Sequence, residues 1–165
     1  DVNHMSKLQK LDASYNSEIC DSGIKNINLV KLDANLNKKI TDVNHMSNLQ
    51  TLYAHGSGIG DDGIKHINLV KLDASDNPKI TDVNHMTKLY RLTAYDKCGI
   101  DDDCIKHLNL VELDATCNPR ITDVNHMGKL RVLHASENCG IDNNGIRSIN
   151  PIELYICDSP NITDV

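Results

Sequence analysis

Asp-Val-Asn-His-Met stands at residues 1–5, 42–46, 82–86 and 123–127, at intervals of 41, 40 and 41 residues. A pentapeptide recurring at a near-constant interval marks a repeat architecture, in which each unit buries its apolar face only against its neighbours. Between these copies lies a related unit ending Gly-Ile-Lys-x-Ile-Asn at 23–28 and 63–68, with looser versions at 104–109 and 145–150. Each block is therefore a doublet.

Both halves share the pattern Leu-x-x-Leu-x-Ala-x-x-Asn, whole at 8–16, 29–37, 69–77, 110–118 and 130–138. Its second leucine falls at Leu11, Leu32, Leu52, Leu72, Leu92, Leu113, Leu133 and Leu154, so eight coils of 20 or 21 residues fill nearly the whole chain and leave no linker. Leucine, a gap of one, then alanine is the period-2 alternation of a half-buried strand: Leu11 and Ala13 face in, Lys10, Asp12 and Ser14 face out. An Asn three residues after the alanine is placed to bond backbone groups at the bend. Asn16, Asn37, Asn77, Asn118 and Asn138 are expected to form a ladder, broken and locally weakened where Ser57, Lys97 and Ser159 stand instead.

An inward isoleucine follows each bend, at Ile19, Ile40, Ile59, Ile80, Ile100, Ile121, Ile141 and Ile162. In the even coils the return reads Thr-Asp-Val-Asn-His-Met, which suits one helical or 3-10 turn capped by Thr41 or Asp42. In the odd coils it is longer, with Asp61 or Asp62 expected to cap and Ile64 and Ile67 expected to point inward. Each coil then buries about six aliphatic side chains at roughly 1.5–3 kcal/mol each before conformational entropy is subtracted, so no coil folds alone.

The chain has 165 residues, 39% hydrophobic and 24% charged, and no apolar run of the ~18 residues a membrane span needs. Phe and Trp are absent and aromatics total 3%, so the core must be aliphatic. With 17 Lys and Arg against 23 Asp and Glu, a formal charge of −6 offers no bulk attraction for phosphate backbones, which argues against nucleic acid as a partner. Cys20, Cys98, Cys104, Cys117, Cys139 and Cys157 show neither CxxC pairs nor a regular framework; free thiols in a reducing, cytoplasmic compartment are expected, with secretion left open. No nucleophile elbow, phosphate loop or zinc-protease motif is present, and neither catalysis nor a cofactor is expected.

With these residues in view, the whole chain resembles leucine-rich repeat proteins. Leu-Asp-Ala-Ser-Asp-Asn-Pro-Lys-Ile-Thr-Asp-Val at 72–83 is similar to the short internalin-type repeat, departing from it in the Ala at the second strand leucine and in an extra residue before the inward Ile. The resemblance implies an α/β repeat solenoid, a right-handed superhelix with a concave parallel sheet of about eight short strands and short 3-10, helical or irregular convex segments. It also implies a module that holds another macromolecule on the concave face. At ~4.8 Å between strands such a sheet is roughly 34 Å across, enough for a standard protein interface.

Three outward rows are expected on that face. Lys10, Lys31, Thr51, Lys71, Arg91, Glu112, Val132 and Glu153 precede the leucine and carry a charge gradient. Asp12, Asp33, Tyr53, Asp73, Thr93, Asp114, His134 and Tyr155 follow it, and Ser14, Asn35, His55, Ser75, Tyr95, Thr116, Ser136 and Cys157 lie two positions further on. The even coils keep Lys-Leu-Asp-Ala nearly unchanged while odd coils diverge to large polar and aromatic residues, the types favoured at interface hot spots. Tyr53, His55, Arg91, Tyr95, His134 and Tyr155 are therefore the candidate contacts for a protein partner, with free drift of exposed positions as the competing reading.

A second constellation is the histidine row. Aligning the returns on their inward Val or Ile puts His45, His66, His85, His107 and His126 at one phase on five successive coils, with His4 at the same phase. A linear row offers a metal two nitrogens at most, so it is a weak metal candidate, and joint protonation predicts lability below about pH 6. No polar cap is evident at either end, which raises self-association by end-to-end stacking, or a segment of a longer array, as structural alternatives to a binding module.

Overall fold

The structure, a computed structural model, describes residues 1–164. Eight three-residue strands, β1 (Lys10–Asp12), β2 (Lys31–Asp33), β3 (Thr51–Tyr53), β4 (Lys71–Asp73), β5 (Arg91–Thr93), β6 (Glu112–Asp114), β7 (Val132–His134) and β8 (Glu153–Tyr155), pair in chain order in one parallel sheet. Each coil is numbered here for its strand. The register aligns the central leucines, Leu11 with Leu32, Leu52, Leu72, Leu92, Leu113, Leu133 and Leu154, so that like residues become physical neighbours. The array is a solenoid-like α/β repeat.

Leu32, Ala34, Ile40, Val43 and Met46 of coil 2 are fully buried, and their equivalents in coils 4 and 6 are as well hidden, giving one aliphatic column through the stack. The odd coils substitute isoleucines, with Ile59, Ile64 and Ile67 inward in coil 3. None of the helices among the described residues is long and apolar enough to cross a membrane.

Among the described residues helix is confined to the odd returns: α1 (Asp21–Ile24), α2 (Asp61–Ile64), α3 (Asp102–Ile105) and α4 (Asn143–Ile146). The even returns close instead with single turns such as Met46 N–H to Val43 C=O at 3.0 Å. The expected caps are corrected. Gly60 occupies the cap of α2 without a side-chain bond, and Asp61, the first helical residue, is drawn off to the next coil by Thr81 and Asp82. Capping carboxylates do occur at Asp101 and Asp142, which accept from Cys104 N–H and Gly145 N–H. Asp42 holds the N–H of Asn44, two residues on, rather than starting a helix.

Two residues past each strand alanine (Ile156 in coil 8) the backbone turns through the left-handed region, at Tyr15, Leu36, Gly56, Asp76, Asp96, Cys117, Glu137 and Asp158, with φ between 49° and 60°. Asp tolerates this conformation through its own side-chain bonding, whereas Tyr15 and Leu36 have no such help.

Candidate functional site

The repeated polar letters are accounted for by bonds between coils. Asn37, Asn77 and Asn118 are buried; each donates to two carbonyls of the preceding coil, Asn37 to Ala13 and Ile19, Asn77 to Ala54 and Ile59, Asn118 to Ala94 and Ile100, and accepts a backbone N–H of its own bend. The expected ladder changes at the odd coils. Asn16 and Asn138 are exposed and make none of these bonds. The rung there stands two residues before the inward isoleucine, at Ser17, Ser57 and Cys98, each accepting that isoleucine's N–H, and Cys139 is buried at the same place; in coils 1, 5 and 7 this is one residue past the Asn position, which Ser57 itself occupies in coil 3. Ser57 is thus a rung rather than a break, and Cys98 rather than Lys97 serves coil 5. Ser159 does break it, for its hydroxyl has no partner.

Three further clips lie on the returns. Asp21, Asp61 and Asp102 each accept the N–H and hydroxyl of a threonine and the N–H of an aspartate on the next coil, for example Thr41 N–H at 2.8 Å. Asn44, Asn84 and Asn125 reach forward, donating to Asp62, Asp103 and Asn144 carbonyls and accepting from the N–H of His66, His107 and Ser148. Asn28, Asn68 and Asn109 accept the N–H of Asn48, Lys88 and Lys129.

The histidine row divides into two kinds. His45, His85 and His126 donate from Nε2 to the carbonyls of Ile24, Ile64 and Ile105 on the preceding coil, a bond that requires the proton on Nε2 because a carbonyl only accepts. His66 and His107 are instead held by their backbone N–H, leaving their rings exposed. The five are therefore not equivalent, and among the described residues no group of three or more His, Cys, Asp or Glu side chains converges as a metal would need.

Subtracting these residues leaves the outward face of the sheet, where the register sets the rows side by side as the alternation implies. Asp12, Asp33, Asp73 and Asp114 each accept the N–H two residues on, so the repeated aspartate of Lys-Leu-Asp-Ala closes its own turn. The Ser14 N–H and hydroxyl bonds hold the Asp12 carboxyl below its ordinary pKa. The divergent residues have no such duty. Lys31 lies over the Tyr53 ring, Nζ 4.7 Å from its centre, and Arg91 pairs with Glu112 at 3.1 Å, where the charge gradient changes sign. His134 and Tyr155 stack with ring centres 4.3 Å apart, and Tyr155 donates to Glu153.

The candidate contacts do not merge into one patch. Tyr53 and His55 sit on coil 3, Arg91 and Tyr95 on coil 5, with the smaller Asp73 and Ser75 of coil 4 between them. His134 and Tyr155 are the stacked pair among them. Comparison with family models, with curated proteins and with solved structures gives no match. Function must therefore be read from this surface itself.

Two features escaped the sequence reading. Ser75 is 3% exposed although it stands on the outward row, and its hydroxyl has no hydrogen-bond partner. A buried, unpaired hydroxyl costs about 1–3 kcal/mol. The equivalent Ser14 avoids this by donating to Asp12 at 2.6 Å. The second is a thiol beside the face: Cys117 donates to Glu137 at 2.5 Å, and that bond raises its pKa. Nearby Tyr95 is raised by the charges of Cys117 and Glu137.

Proposed function

We propose that the chain is a non-catalytic module of leucine-rich-repeat type that holds a protein partner on the outward face of its sheet. One observation carries the reading: most of the repeated Asn and Asp side chains are occupied in bonds within and between coils, whereas the side chains of the departures Tyr53, Arg91, Tyr95 and His134 stand outward and bond to no backbone group of another coil. Rigid aromatic rings and an arginine on a preformed sheet present contact area that loses little side-chain entropy on binding. Six to eight strands at ~4.8 Å spacing give a face of the size a specific interface needs.

The test is a comparison of wild type with the Tyr53→Ala, Arg91→Ala, Tyr95→Ala triple variant as bait in quantitative pull-downs from the source cells. Proteins retained by wild type and lost with the variant, at unchanged melting temperature, are expected. Identical retention by both baits contradicts the proposal.

A further inference from the structure

We propose that Ser75 is the floor of an anchor notch that takes a primary amide side chain, Asn or Gln, of the protein partner. The inference rests on the reading of the outward face as the binding surface and names the chemistry of its centre. The small Ser75 of coil 4 stands between two larger residues, the ridges of its row: His55 on coil 3 and Tyr95 on coil 5, with backbone bonds from Gly56 to Ser75 and from Asp76 to Tyr95 fixing the three in line, so that a valley opens over Ser75 once those side chains turn aside. Two strand spacings, about 9–10 Å, separate the ridges, the width of one inserted side chain.

The polar groups of the valley select its occupant. The Ser75 hydroxyl is buried without a partner although its own N–H is satisfied by Asp73 Oδ1 at 3.0 Å. A hydroxyl left unpaired in this way is a donor waiting for an acceptor. The Asp73 carboxylate beside it is an acceptor and repels a second carboxylate, which disfavours Asp or Glu as the guest. A primary amide satisfies both groups at once: its carbonyl accepts from Ser75 Oγ and its NH₂ donates to Asp73. In the unliganded chain the hydroxyl is closed off from water, so the flanking side chains must turn aside to admit the guest. That is a rotamer change open to surface residues within nanoseconds.

The experiment uses twelve-residue peptides selected by display on the wild-type protein, with binding of the selected peptides measured to Ser75→Ala, Tyr95→Ala and His134→Ala. Ser75→Ala removes an unpaired hydroxyl and is expected to raise the melting temperature, so loss of folding cannot imitate loss of binding. Supporting results are a tenfold or greater weakening on Ser75→Ala and a matching loss when one Asn or Gln of the peptide is changed to Ala. The two losses are also expected to be non-additive in the double substitution. Peptides weakened by Tyr95→Ala but indifferent to Ser75→Ala overturn the notch and leave the binding face standing. Peptides indifferent to Tyr95→Ala and His134→Ala, or a library yielding no binder, overturn both.

Discussion

Asn77 shows how much one residue carries in this stack. Its amide donates to two carbonyls of coil 3, and its own carbonyl oxygen accepts from Lys79 N–H, all out of reach of water. Asn77→Ala orphans those groups and is expected to cost about 2–4 kcal/mol in urea unfolding, whereas Asn16→Ala and Asn138→Ala stay within about 0.5 kcal/mol. The sequence pattern found the asparagines but misplaced two of them. In coil 1 Ser17, one position later, reaches the N–H of the inward isoleucine instead, and in coil 7 Cys139 is the residue buried at that place. The thiols divide by surroundings too. Burial pushes Cys98 up to about 11, desolvation with the Asp101 bond does the same to Cys104, and burial raises Cys139, while the Ser22 hydroxyl beside Cys20 lowers it. Because the thiolate is the reactive form, alkylation at pH 7.5 followed by mass spectrometry should label Cys20 first. Cys98, Cys104 and Cys139 should be modified only on unfolding; fast labelling of Cys98 in the native protein would contradict the ladder.

The packing of α2 against coil 2 depends on a missing side chain. A Cβ at Gly63 would lie 2.0 Å from the Thr41 carbonyl oxygen, and Gly145 is in the same position against Thr122. Coil 5 carries Cys104 there, and the stack yields: Val83 N–H reaches the Cys104 carbonyl at 3.4 Å, against 3.0 Å for Val43 to Gly63 and Val124 to Gly145. Gly63→Ala should therefore loosen coils 2 and 3 by a similar opening, at about 1–3 kcal/mol. Cys104→Gly should close the gap and slow hydrogen exchange at Val83. Unchanged exchange there would separate the long bond from the extra side chain. A pH dependence belongs to this element as well. Bonds from Cys104, chiefly, and from Arg120 hold the Asp101 carboxyl below its ordinary value. Its stabilising effect is present above the unfolded carboxylate pKa of about 4 and is lost as pH falls through the lower folded value. Asp101→Asn should flatten the acid limb of the stability curve below about pH 4. The sequence placed a helical or 3-10 turn in the even returns and a cap in the odd ones, whereas helix forms in the odd returns and the even ones close with single turns; the caps were not legible, because Asp61 serves the neighbouring coil and no single-coil pattern records that.

Across the whole molecule, the eightfold leucine phase and the parallel register could be read directly, since a period near 20 residues leaves stacked strands as the way to bury Leu11, Ala13 and Ile19 together. The proposed binding face was legible only as a division between repeated and divergent residues. The Ser75 valley could not be seen, because it arises from the sizes of His55 and Tyr95 on different coils. That same division makes a joint substitution of the outward residues informative. Replacing Tyr53, Arg91, Tyr95 and His134 together by threonine, a good strand former, removes the divergent surface with its Arg91–Glu112, Lys31–Tyr53 and His134–Tyr155 contacts and leaves the asparagine and aspartate bonds between coils in place. The most direct measurement is the urea-unfolding free energy of this quadruple variant beside that of Asn37→Ala, Asn77→Ala, Asn118→Ala. The expected result is a near-native value for the first and collapse of cooperative unfolding in the second; a quadruple variant as unstable as the asparagine triple would show that the outward residues hold the coils together and are not free to bind.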